Sequence, residues 1–215
     1  TPEIKIIEKW NSDESTYSIT IEQACPKTPN QENKLPFVIP IRIAFVGSQG
    51  LLPFSLVKEG SAKPSKVEHI LLLTEKTQSW DFFNLIEKPV PSLLRNFSAP
   101  VKLEFAYTSS DLLLLIQNDN DGYIRWDAAK RFIISVIKKC IDNEDYINDK
   151  KIKKDIEDYS NILRGIVNLS LSDDSWNQEY DAALLSEILR LPNYHYIMEE
   201  LIDIDVKRIF EIRNY

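Results

Sequence analysis

The chain is poor in the residues that build phosphate cradles, disulfide frameworks and metal centres. Its 215 residues include five glycines, two cysteines, two histidines and one methionine. Five glycines leave little room for a phosphate-binding loop, and neither a P-loop nor a G-x-G-x-x-G pattern occurs. There is no G-x-S-x-G elbow, and neither Cys25 nor Cys140 sits in a histidine-containing motif, so serine and cysteine nucleophiles lack support. Two cysteines do not make a disulfide framework, and bridging them would need Cα atoms within roughly 7 Å. They read as unpaired thiols in a reducing compartment, which implies a cytoplasmic protein. The longest uninterrupted apolar run, Leu112 to Ile116, is far short of the ~20 residues of a membrane helix, so no membrane partner is expected. A formal net charge of -7 argues against nucleic acid, whose affinity comes from Lys and Arg neutralising phosphates.

What is present is an ordinary globular composition, 43% hydrophobic and 27% charged, long enough for one large or two ordinary domains. The first half reads as short strands. Glu3 to Trp10 and Thr16 to Ala24 form a hairpin, the second with Tyr17, Ile19 and Ile21 on one face. Phe37 to Val46 puts Phe37, Ile39, Ile41, Ile43 and Phe45 on one side, and Pro40 on the other parity predicts an edge or bulged strand. Further candidates are Leu52 to Val57, Lys66 to Leu73, Gln78 to Asn84, Ser92 to Phe97 and Val101 to Phe105, the last two able to pair across Ser98-Ala99-Pro100. Lys58-Glu59-Gly60 and Thr74-Glu75-Lys76 read as turns. About eight short strands at close spacing predict an immunoglobulin-like β-sandwich over 1–105.

After Tyr107 the period becomes helical. Ser109, Ser110 and Asp111 can cap a helix beginning at Leu112, and Gly122 starts a stronger one to about Cys140. Asp149 to about Asn168 is amphipathic. Ser175 to Gln178 has the form of a capping box, opening a helix to about Leu191; Pro192 starts another to Ile202, and Asp203 to Asp205 begin a last. Residues 106–215 are therefore expected to be an α-helical domain, a bundle or a solenoid. The chain stops inside a helix-like segment and does not start with Met, so a piece of a longer polypeptide is expected.

The residues that could carry chemistry have plainer readings. His69 reads as a half-buried strand histidine, and His195 as the partner of Glu199 at i+4. Asp119-Asn120-Asp121-Gly122 fails as a calcium loop: with Gly122 at position 6, Gln117 falls at position 1 and Ala128 at position 12. It reads as a polar turn ahead of a helix. Glu199, Glu200, Asp203 and Asp205 read as a solvated face, and Lys150, Lys151, Lys153 and Lys154 are balanced by Asp149, Asp155, Glu157 and Asp158. Trp80, Phe82, Phe83 and Trp126 read as core packing.

Three runs in order carry a resemblance. PVP-LL--FSAPVKLE at Pro89 to Glu104, RWDAA at Arg125 to Ala129 and TP-Q--KLPF-IPI at Thr28 to Ile41 resemble the bacterial alanyl aminopeptidases, or aminopeptidase N, zinc metallopeptidases of the gluzincin type. The resemblance is in register from about Thr16 to Cys140. The sequence between about Ile141 and Asp181 is richer in lysine and asparagine and departs from the family. A gluzincin needs His-Glu-x-x-His, so that two imidazoles one helical turn apart reach one zinc ion. This chain offers only His69 and His195, the latter in His195-Tyr196-Ile197-Met198-Glu199. The resemblance thus implies zinc in the parent enzyme, held by a preceding thermolysin-like domain, and no catalytic, cofactor-binding or metal residue within this segment. It further implies that 1–105 is a spacer and 106–215 the start of a helical cap over the active site, with the catalytic domain of the same polypeptide and the parent's peptide substrates as partners. The competing expectation is a stand-alone protein-interaction module without enzymatic activity.

Overall fold

The computed structural model describes residues 1–27, 29, 34–57, 66–171, 182–201 and 205–214, with only the backbone for 169–171. The chain divides into two compact units. Thr1–Tyr107 and Asn118–Ile124 form the first, and Thr108–Gln117 and Arg125–Tyr215 the second.

The first unit is a two-sheet sandwich. Strands β1 (Glu3–Asn11), β2 (Thr16–Ala24), β3 (Ile39–Gly47), β4 (Gly50–Leu51), β5 (Glu68–Leu73), β6 (Thr77–Phe82), β7 (Val90–Leu93) and β8 (Lys102–Glu104) follow in chain order. One sheet runs β6-β2-β1-β8, with β8 parallel to β1; the other is built on β3, which pairs antiparallel with β4, β5 and β7. Alternation in β1 and β2 points Ile4, Ile6, Tyr17, Ile19 and Ile21 inward, where they meet Ile41, Ile43, Phe45, Leu71 and Leu73 of the opposite sheet. Phe45 is the hub. Its ring lies edge-on to Tyr17, Phe54 and Phe82 at centroid distances of 5.2, 5.2 and 4.8 Å, the arrangement that ring quadrupoles favour.

Four departures from the predicted strands have local causes. Phe37 stays outside β3 because Gln23 has taken its backbone: Gln23 Oε1 accepts from Phe37 N–H at 2.8 Å and Gln23 Nε2 donates to Phe37 O at 2.9 Å. No strand forms over Leu52 to Val57: β4 ends at Leu51, and the expected run makes only two isolated bridges, Phe54 to Lys66 and Ser55 to Phe83, since Pro53 has no N–H for a ladder. The run Ser92 to Phe97 is strand only to Leu93, and it pairs with β3, while β8 pairs with β1; the two runs of the seam lie in different sheets. Finally, β3 is central rather than an edge, flanked by β5 and β7. Pro40 is tolerated because β7 reaches only Ile43–Val46, and on that side the Arg42 N–H, two residues on, donates to Ser98 Oγ at 3.0 Å instead.

The helical unit draws on α1 (Ser109–Asn118), α2 (Gly122–Ile141), α3 (Lys150–Leu171), α4 (Ala182–Leu189), α5 (Tyr194–Glu199) and α6 (Val206–Asn214). The first starts earlier than Leu112 because Thr108 is its cap: Asp111 N–H donates to Thr108 Oγ1 at 3.1 Å and Thr108 N–H to Asp111 Oδ2 at 2.8 Å, a reciprocal box. Asp149, Asn193 and Asp205 accept backbone N–H groups at the starts of α3, α5 and α6. The capping box at Ser175 to Gln178, the turn at Lys58 to Gly60 and the residues Ile202 and Asp203 lie outside the described residues. Ile133, Ile134, Ile137, Cys140, Ile152, Ile197, Ile209 and Ile212 make this unit's core.

Helix ends here close without glycine. Among the described residues no glycine directly follows a helix C-terminus, where the left-handed cap normally sits. At the ends of α1, α2 and α4 long basic side chains from other helices take carbonyls instead. Arg125 Nε of α2 donates to Ile116 O of α1 at 2.9 Å, and Lys130 Nζ of α2 to Glu187 O at 3.1 Å and to Arg190 O beyond α4. Arg208 of α6 donates to Cys140 O and Asn143 O at the end of α2, at 3.2 and 3.1 Å.

Candidate functional site

The most densely organised polar site in the sandwich unit is built on Arg95, in the turn that follows β7. That turn has an unusual backbone. Leu94, Asn96 and Phe97 have φ of 61°, 52° and 50°, a left-handed region that asparagine tolerates but that costs bulky L-residues of order 1–3 kcal/mol each. Arg95, between them, is 4% exposed.

Its guanidinium makes four hydrogen bonds, with at least one from each nitrogen. Nε donates to Glu68 Oε2 on β5 at 2.7 Å, and Nη1 donates to Ser92 Oγ at 2.8 Å and Asp119 Oδ1 at 2.7 Å; Nη2 donates to Asn120 Oδ1. Burial alone would push the guanidinium down, but Asp119 and the Glu68 hydrogen bond outweigh it and the net shift is upward. Glu68 also pairs with Arg42 Nη1 at 3.3 Å. Next to it, the Asn96 N–H donates to Asp121 Oδ2 at 2.8 Å. Asp121 uses its other oxygen to cap Ile124 N–H at 3.1 Å, and Asp119 Oδ1 accepts Asp121 N–H at 2.8 Å. The residues 119–121 are thus a polar turn ahead of a helix, as the sequence indicates, but the same side chains are also the counter-ions of a buried arginine. Sequence reasoning missed that link. The one signal was an arginine inside an apolar run with no local acidic partner, 24 residues from the aspartate that meets it.

The other singled-out residues fall into place separately. His69 is half-buried on β5, its Nδ1 3.4 Å from Lys66 Nζ. Burial, then the Lys66 charge, hold its pKa below the ordinary histidine value. His195 Nε2 lies 3.1 Å from Glu199 Oε1, both exposed. Burial pushes the Cys140 thiol up and the Tyr159 phenol up to about 12. Phe82 is core and Trp80 packs on it. Among Glu199, Glu200 and Asp205, none is buried. Among the described residues no group of three or more His, Cys, Asp or Glu side chains is placed to hold a metal ion. With His69 beside a lysine and His195 beside a single carboxylate, the residues present do not fit the zinc that the resemblance places in the parent enzyme. No helix among the described residues is long and apolar enough to cross a membrane.

Comparison with known proteins gives matches along the whole chain. A family model described as a domain of unknown function, DUF3458, with an Ig-like fold covers residues 1–106, and its companion DUF3458_C, described as ARM repeats, covers 109–215. Aminopeptidase N of Escherichia coli is 30% identical over 213 residues, 99% of this chain and 23% of that protein. Aminopeptidase N of Haemophilus influenzae is 32% identical over 141 residues, 66% of this chain and 16% of that protein. The chain therefore spans less than a quarter of the curated relatives it matches. Among solved structures, aminopeptidase A of Legionella pneumophila, in complex with aspartic acid, superposes with a TM-score of 0.72 over 99% of this chain and 21% of its own, at 23% identity, which speaks to the fold alone.

Proposed function

The chain belongs to the aminopeptidase N family, as its region of an Ig-like domain followed by ARM repeats, and from that premise we propose that it is a non-catalytic part of a zinc-dependent aminopeptidase that removes N-terminal residues from peptides. In this reading the sandwich is a spacer and the helices contribute to a cap over the active site. Its partners are the catalytic domain of the same polypeptide and, through it, peptide substrates; the zinc ligands belong to that domain, and the protein works in the cytoplasm.

The observation that carries the reading is the extent of the match: 213 residues align with one relative through both domains, yet they are 23% of it. The sequence supports it independently, since its two histidines cannot supply His-Glu-x-x-His. The physical properties of the sandwich suit a spacer. Two sheets share one core centred on Phe45, and a closed hydrogen-bonded cluster at Arg95 fixes one turn against it.

The test is to assay the purified chain for bound zinc and for hydrolysis of an amino-acid amide, alone and after mixing with the remainder of an aminopeptidase N polypeptide. The expected result is no stoichiometric zinc and no turnover alone, with activity depending on the remainder. Turnover that copurifies with the isolated chain and disappears on a single substitution within it would overturn the proposal.

A further inference from the structure

We propose that residues 118–124 are a strap whose contacts hold the 94–97 turn in its left-handed form, so that release of the strap and relaxation of the turn are a single event. The contacts are matched residue by residue. Arg95 is bound by Asp119 and Asn120, the Asn96 N–H by Asp121, and the Phe97 ring meets Tyr123 edge-on at 5.4 Å. The far end of the strap is tied down elsewhere, where Asn118 Nδ2 donates to Gly47 O and Ser48 O, both at 3.0 Å.

The two partners need each other for different reasons. A turn with Leu94 and Phe97 at positive φ relaxes toward ordinary backbone unless its surroundings over-determine it. The sandwich anchors both ends of the turn, through the buried Leu94 and Ala99 side chains and the Arg42 N–H on Ser98 Oγ, and offers the guanidinium Ser92 and Glu68; the backbone and ring of Asn96 and Phe97 are met by the strap. The strap, for its part, buries the Asp119 carboxylate completely, and among the described residues Asp119 Oδ2 has no hydrogen-bond partner. Such a carboxylate stays buried only beside a fixed cation, and Arg95 points at it only while the turn is left-handed. The device is bistable, closed with strain in the turn and charge paired, or open with both relaxed.

Hydrogen exchange on the full 215-residue chain tests this with Asp119→Asn, which keeps the size of the side chain and removes its charge. The expected result is faster exchange of the amides at 95–98 and 119–122 by a common factor of about ten, equivalent to about 1.4 kcal/mol of opening free energy. Exchange that accelerates at 119–122 and stays unchanged at 95–98 overturns the proposal. Arg95→Lys, which keeps the cation and loses the fork to Ser92 and Asn120, provides a second variant should the first not fold. It is expected to speed both segments together, and acceleration of either one alone again overturns the coupling.

Discussion

Two arginines share one glutamate, and their difference in burial gives a quantitative prediction. Arg95 and Arg42 both contact Glu68, at 2.7 and 3.3 Å. Arg95 is 4% exposed and its other partner, the Asp119 side chain, is wholly buried, whereas Arg42 and Glu68 are each 34% exposed. Arg95→Ala strands the Asp119 carboxylate with one backbone N–H for company. Breaking a buried pair from one side costs about 3–5 kcal/mol. Arg42→Ala breaks a pair that water and salt already screen, worth at most about 1 kcal/mol. For a unit the size of the sandwich, a little over 100 residues, each kcal/mol moves the melting temperature by about 4 °C, so the drop is about 12–20 °C for the first variant and at most about 4 °C for the second. Because there are two compact units, the assay must report the sandwich alone, and urea titration read by hydrogen exchange of β3 does so. Replacing both charges, as Arg95→Met with Asp119→Leu, recovers part of the loss, since it leaves no unpaired charge, and only part, since the Asp121 N–H and Ser92 Oγ lose their partners. A smaller loss for Arg95→Ala than for Arg42→Ala, or a double variant no better than the single one, refutes the assignment of the energy to the buried pair.

Three further outcomes are expected. Phe45→Ala removes a fully buried ring together with three edge-on contacts and costs the sandwich about 3–5 kcal/mol, measurable in the same urea titration; Phe45→Leu, which keeps most of the volume, costs less. His69 has a folded pKa below 6.5, so the unfolded chain binds the proton more readily, and stability falls as pH drops below about 6.5 until the folded pKa is passed. His69→Gln flattens that part of the profile in thermal scans between pH 7 and pH 5. Cys25 is partly exposed while Cys140 is buried with a raised pKa, so a thiol reagent labels one cysteine of the native chain quickly and the second only with urea; two equal fast phases contradict the structure.

The strand pattern was legible wherever one face is buried. Period-2 alternation placed Thr16–Ala24 to the residue, because Tyr17, Ile19 and Ile21 really do meet the core. It over-extended β3 to Phe37 and invented a strand after Leu52, because apolar parity carries no information about which backbone groups are already engaged. The Gln23 side chain and Pro53 decide those points. The start of α2 was legible and its cap function visible in type, yet the pairing of Arg95 with Asp119 was not. That contact is non-local and electrostatic, and it depends on a left-handed backbone at Leu94 and Phe97 that the propensity of neither residue favours. The family resemblance, in turn, rested on three runs, one of them spanning this turn, and says nothing of the cluster inside it.

The helices α1, α2 and α4 end on arginines and a lysine borrowed from neighbouring helices, which bears on how the unit acquires structure. A glycine cap is a local stop, available as soon as the helix forms. Arg125 reaches back only nine residues to stop α1, but Lys130 and Arg208 can stop α4 and α2 only after two segments far apart in sequence have docked. Nascent helices from this part of the chain should therefore fray at their C-termini until the whole assembly closes, and their lengths become fixed in the same cooperative step that completes the core.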